Sequence, residues 1–204
     1  GSALALANRT RAQIRKPLGQ PAQVSISVVD TNGVVLGVLR GADAPIFGTD
    51  VSLQKARTAS FMSNPLAGTE LLGLGGAIAP YVNATRTFFG DPTSLSNGTA
   101  FSAKAIGNIA RPYFPDGIIG TANGPLAPPI ASWSPFATGL QLDLSVAAIV
   151  GAVGGGLGTG CTGLPRLANG LQIFSGSVPI YRTVAGVPQL VGGLGVSGDG
   201  TDQD

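Results

Sequence analysis

The chain has 204 residues, enough to bury a sizeable core without disulfides or a structural metal. Only 11% of residues are charged, against about a quarter in ordinary globular domains, and 32 are glycine. A net charge of +2 spread over scattered Lys and Arg excludes a nucleic-acid surface, and the absence of histidine removes the commonest general base and metal ligand.

In chain order, residues 3–16 hold good helix formers with a basic last turn, and Pro17 closes the predicted helix. Leu4, Ala7, Arg11 and Ile14 fall at helical spacing along it. Two β-branched runs, 24–29 and 34–39, then flank Asp30-Thr31-Asn32-Gly33. The Asn-Gly pair predicts a tight antiparallel hairpin. In the first run Val24, Ile26 and Val28 alternate with Ser25 and Ser27, the pattern of a sheet with a single fully buried face. A second helix is predicted from Thr49 as N-cap, with Asp50 in its first turn, through Ser63, and Pro65 follows its end.

Residues 65–165 are different material, with ten of the fifteen prolines. A structureless loop of that length does not belong in a compact domain. Its aromatics, among them Tyr81, Phe88, Phe89, Phe101 and Trp133, indicate ordered packing. Short helices are expected near 71–79, 101–110 and 144–153. The segment reads as a large irregular insertion covering the core or a neighbouring subunit. Strand signals return at 172–174, 178–183 and 189–196. The glycines of 192–198 imply a strand packed too tightly for large side chains on one face. The ending, Asp199 to Asp204, opens a helix that does not follow. Either the chain is truncated or processed there, or the helix comes from another chain.

Taken in that order, VSISVVDTNGVVLGVLR, TDVSLQKARTASF, SVPIYR and LVGGLGVSGDGTDQD resemble the GlcG/HbpS family of haem-associated domains. The positions that match are Asp30 and Gly33 in the hairpin, and Asp50, Lys55, Ala56, Thr58 and Ala59 in the helix. Pro179, Ile180, Gly193, Gly195 to Gly198 and Asp202 match in the late strands and beyond. The resemblance implies an α+β domain from 1–64 and 166–204, an antiparallel sheet flanked by helices with a profilin-like architecture. Residues 65–165 would be an insertion in it. It also implies self-association and binding of haem or a related tetrapyrrole. The chain departs from the family in that insertion and in the missing last helix. Without histidine, a haem iron would need another ligand or none.

The candidate cofactor-binding residues follow from this resemblance. Lys55 and Thr58, one turn apart on the second helix, would line a ligand groove with Lys55 meeting a propionate; alternatively Lys55 pairs with Asp50 on the surface. Thr58 either ligates iron weakly or bonds the preceding helical turn. Met62 and Tyr181 carry better iron-ligand chemistry, thioether and phenolate, and are otherwise packing residues. Arg40, at the end of the hairpin, is a carboxylate partner or a solvated strand end.

Other motifs carry less. Residues 158–163 match the glycine pattern of a dinucleotide loop, but Leu164-Pro165 blocks the helix such a loop requires. Asn8, Asn83 and Asn97 begin glycosylation sequons at near-chance frequency. Cys161, the only cysteine, forms no internal disulfide and reads as a structural residue, or as one that pairs with a second chain. Asp199 and Asp202 are close enough in sequence for paired-carboxylate chemistry, although a helix cap explains them equally.

Three functional readings remain. The first is a non-enzymatic haem- or tetrapyrrole-binding protein working as an oligomer. The others are a structural subunit of a permanent complex, and an enzyme or accessory protein acting on a small organic acid. No stretch is long and apolar enough for a membrane span. The compartment stays open, leaning extracytoplasmic, because the leading Gly1-Ser2 reads as a cloning remnant that would hide any signal peptide.

Overall fold

The computed structural model describes residues 1–156 and 160–200. Helix α1 (Ser2–Arg9) is shorter than the expected 3–16. From Thr10 onward the backbone pairs with residues 20–22 instead. The Ala22 amide donates to the Thr10 carbonyl at 2.8 Å, and the Ala12 amide to the Gln20 carbonyl at 2.9 Å. A backbone that donates across to another segment cannot also continue the helical ladder.

The hairpin forms from β1 (Val24–Val29) and β2 (Val35–Arg40). Its turn is Asp30 to Gly33, as expected, closed by the Asp30 amide donating to the Val34 carbonyl at 3.0 Å. The Asp30 carboxylate accepts the amides of Asn32 at 2.8 Å and Val34 at 2.9 Å, and of the pair only Gly33 takes positive φ, at 76°. An Asp that bonds the backbone two residues on makes its own turn. Helix α2 (Phe47–Met62) begins two residues before Thr49, which is therefore not its cap; the Thr49 hydroxyl lies 3.4 Å from that of Ser25.

The chain then runs through α3 (Ala67–Gly73), α4 (Ala79–Phe89), α5 (Ala103–Ile109), α6 (Leu140–Asp143) and α7 (Val146–Val153). It returns to the sheet as β3 (Ser177–Val184) and β4 (Val187–Gly198). Residues 172–174, expected as a strand, are not one. The Gln172 amide donates to the Thr58 hydroxyl, and the Gln172 side-chain carbonyl accepts from Ile173 and Phe174, so this backbone is satisfied locally. The fold is α+β: one antiparallel sheet in the order β2-β1-β4-β3, flanked by helices.

Helix α2 crosses one face of the sheet, and that face carries the small residues. Directly paired residues in neighbouring strands share a face, so Ser25 sits beside Ser197, and Ser27 beside Gly195. The Ser27 hydroxyl bonds that of Ser52 on α2 at 2.7 Å. A β-carbon added at Gly195 would overlap the Ser52 carbonyl, and one at Gly193 the Ala56 carbonyl. The expectation of a single buried face on β1 is thus corrected. Val24 and Ile26 are buried on the far face, near α1, while Ser25 and Ser27 are fully buried under α2. Serine reads as solvent-facing in a strand pattern, but here its small size lets a helix approach closely.

The other side of α2 supplies Phe61 and Met62 to the main hydrophobic cluster. That cluster also holds Leu71, Val82, Leu95, Phe101, Ile106, Leu126, Leu140 and Leu167. Much of the segment 65–165 is therefore packed against α2 in one core. Among the described residues, no helix is long and apolar enough to cross a membrane.

Candidate functional site

A cleft of about 430 Å³ opens where the first turns of α2 meet the end of β4. Ordinary ligand sites span roughly 300–1,000 Å³. Its walls are Ile14 from the segment after α1, Pro45 and Phe47 from the entry to α2, Val51 from the helix itself, and Phe174. Phe47 and Phe174 are exposed, at 61% and 45%, so two aromatic rings stand at a solvent-facing opening. Their faces are available to a planar molecule entering the cleft.

The floor is charged. Lys55 is buried to 1% exposure, and its ammonium donates to the Val196 carbonyl at 2.9 Å. The residue reaches from α2 to the end of β4, which the glycine-and-serine face of that strand brings close to the helix. A lysine nitrogen so deep needs hydrogen-bond partners, and the strand carbonyl is one of them.

Beside it Asp199, also buried, receives Arg15. The guanidinium Nε and Nη2 reach the two carboxylate oxygens at 2.5 and 2.9 Å, and the Gln23 amide adds a bond at 2.8 Å. Arg15 also bonds the Asp43 carboxylate and carbonyl. Burial alone would push the Asp199 carboxyl up. The Arg15 hydrogen bonds, the Gln23 amide and the Arg15 charge outweigh it and hold the group below the usual carboxylate range. The same contacts raise Arg15, chiefly through its bond to Asp199.

The six sequence candidates are dispersed. Lys55 lines the cleft. Asp50 is exposed and does not line the cleft; its carboxylate accepts from the Asn169 side chain at 3.1 Å. Thr58 is fully buried; its hydroxyl donates to the Gln54 carbonyl and accepts from the Gln172 amide, both at 2.8 Å. It follows the helix-turn alternative. Met62, at 1% exposure, is part of the hydrophobic cluster. The Arg40 guanidinium caps the Ala44 carbonyl, so it closes a turn. Tyr181 stands on β3 in a separate groove. The helix bearing Lys55, Thr58 and Met62 therefore presents only the first of them to the cleft. The three share one stripe of the helix, but Thr58 and Met62 lie about 4.5 and 10 Å further along its axis, beyond the cleft and under the later chain.

Sequence reasoning missed Phe47, Phe174 and Arg15. An aromatic at a helix entry and another in a false strand carry no signal of convergence, and the Arg15–Asp199 pair spans 184 positions. Asp202, in both the family match and the proposed carboxylate pair, lies outside the described residues, as do Gly158 and Thr159 of the glycine-rich motif. Cys161 is exposed.

The cleft does not suit an axially ligated haem iron. Among the described lining residues there is no thioether, thiolate or phenol, and the chain has no imidazole. The Lys55 nitrogen serves Val196, and the Asp199 oxygens serve Arg15 and Gln23. The residues fit a flat apolar body bearing an acidic group.

No family model and no curated protein matches the sequence. Among solved structures, the chain is similar to Klebsiella pneumoniae protein ORFY, described under the family model DUF336. That likeness has 18% identity over 89% of this chain and 67% of that one, and a TM-score of 0.37. It is also similar to a PduOC:haem complex, with 15% identity over 89% of this chain and 70% of that one, and a TM-score of 0.34. At these values neither structure assigns a residue or a ligand to this chain.

Proposed function

We propose that this protein is a non-enzymatic binding protein for a flat, largely apolar molecule with an acidic group, a tetrapyrrole being the class that fits best. The observation that carries the reading is the cleft itself: two exposed aromatic rings over a buried ammonium. The rings cover the planar body, and Lys55 attracts a carboxylate such as a propionate. The resemblance to haem-associated domains supports the same class, and the PduOC:haem complex is consistent with it. Because the cleft offers no iron ligand, ring and carboxylate contacts hold the molecule, and metal-free protoporphyrin binds as well as haemin. The protein works as an oligomer, a reading supported by the exposed apolar residues of β2 described below.

The test is a titration of the purified protein with haemin and with protoporphyrin, followed by absorbance. The two ligands are expected to bind with affinities within a few-fold of each other. Phe47→Ala and Phe174→Ala, both at exposed positions, are expected to weaken each. Lys55→Met removes one charge-assisted contact, on the order of 1.5–3 kcal/mol, or roughly ten- to hundredfold in affinity. Haemin binding that is strong while protoporphyrin fails to bind would place the iron in control and refute this site. Curves unchanged in all three variants would remove it.

A further inference from the structure

A second groove, of about 780 Å³, lies at the opposite end of α2 from the Lys55 cleft. Strand β4 pairs with β1 only from Gly193 to Gly198, whereas its pairing with β3 extends to Val187. The β3–β4 hairpin therefore projects past β1 as a two-stranded arm. At the base of the arm the register shifts between Ile180 and Tyr181, so that Tyr181 pairs with Leu190 and Val191 is the extra residue. Such a bulge bends the strand and redirects its side chains. Here Tyr181 shares a face with Leu190, and with the neighbouring Gln189 they line a groove whose opposite wall is the C-terminal end of α2, Asn64, and the loop at Gly98.

The chemistry of this groove contrasts with that of the first cleft. No charged side chain lines it among the described residues; amides, hydroxyls, prolines and one aromatic ring do. Asn64 is the informative member. It is 9% exposed, and its side-chain oxygen is used by the Leu66 amide at 2.9 Å, whereas its Nδ2 donates to no described residue. The nitrogen is open to the groove and has no partner among the described residues, so an acceptor there can take its hydrogens. Gln189 is exposed and Tyr181 is 37% exposed. The Tyr181 hydroxyl makes only a long contact, 3.4 Å, to the Gly98 carbonyl.

We infer that this groove binds a neutral saccharide. A charged ligand would be desolvated there without a counter-charge. A purely apolar one would leave the Asn64 donor unsatisfied. Sugar hydroxyls both donate and accept, so they match side-chain amides, and the apolar face of a pyranose ring stacks on an exposed tyrosine. Tyr181 is the platform, Asn64 Nδ2 the fixed donor, and Gln189 the adaptable polar contact on the arm.

The experiment is an amide-detected NMR titration of the full chain with maltotriose, cellotriose and triacetylchitotriose. At least one is expected to bind saturably with a dissociation constant of about 1 mM. Its shifts should centre on the Asn64 side-chain amide, Tyr181 and Gln189. Tyr181→Ala and Gln189→Ala, at exposed positions, should each weaken binding about tenfold without altering the spectrum elsewhere. Asn64→Asp keeps the oxygen that receives Leu66 and removes the donor, and should weaken it too. The inference is overturned if no saccharide gives saturable shifts, if the shifts lie elsewhere, if Tyr181→Ala leaves them unchanged, or if a neutral proline-rich peptide binds where every sugar fails. Haemin and protoporphyrin titrations report on the Lys55 cleft, so failure at one site is read separately from failure at the other.

Discussion

Asp199 joins the two ends of the described chain. Its carboxylate gathers Arg15, from the segment after α1, and the amide of Gln23 at the approach to β1, while standing one residue past the end of β4. The group is held below its unfolded value. Its contribution to stability is therefore fully present above the unfolded carboxylate pKa, near 4, and is lost as pH falls through the lower folded value. Asp199→Asn should destabilise the protein at neutral pH by on the order of 1–2 kcal/mol, a modest loss because Arg15 is partly solvated and retains Asp43. Denaturant melts at pH 7 and pH 3 check this. The gap between wild type and variant should narrow at the lower pH, and a gap that widens would contradict the assignment.

At the scale of elements, the seam between α2 and β4 decides the architecture. Ser52 and Ala56 on the helix meet Gly193 and Gly195 on the strand at backbone distance. Nothing larger than hydrogen fits at the two glycines without moving the helix. Gly195→Ala should cost about 1–3 kcal/mol by overpacking, and Gly193→Ala a similar amount. Gly37→Ala, on the edge strand with open space around it, serves as the control and should cost far less. Thermal melting of the three variants decides the matter, and equal losses at Gly195 and Gly37 would mean that strand propensity, and not the seam, sets the effect. Because Lys55 lies on the same stretch of α2, a shifted helix should also weaken porphyrin binding.

At the scale of the molecule, the sheet is unevenly covered. Strand β2 is an edge, exposed throughout, and Leu36 is 65% exposed in a run with Val34, Val35, Val38 and Leu39. An apolar edge with unpaired backbone groups is a template for another strand. On this ground the protein is expected to self-associate through β2. Light scattering at micromolar concentration should give a mass above the 20.3 kDa of one chain, and Leu36→Lys should lower it. A monomer in the wild type would refute the expectation.

The sequence by itself determined the hairpin, the helix that follows it, the antiparallel late strands and the tight glycine-bearing face. Each of these is a local pattern of β-branched runs, turn residues and helix formers, and local patterns survive in one dimension. Tertiary structure alone decided which face of β1 the helix covers, since Ser25 and Ser27 look solvent-facing until Ser52 meets them. It also ended α1 early by pairing residues 10–12 with 20–22, and placed Thr58 and Met62 in the interior while leaving Lys55 at a cleft. The walls of that cleft, Ile14, Phe47, Phe174 and Asp199, converge from four separate parts of the chain. Convergence of that kind is a property of packing, and periodicity along a single element contains no trace of it.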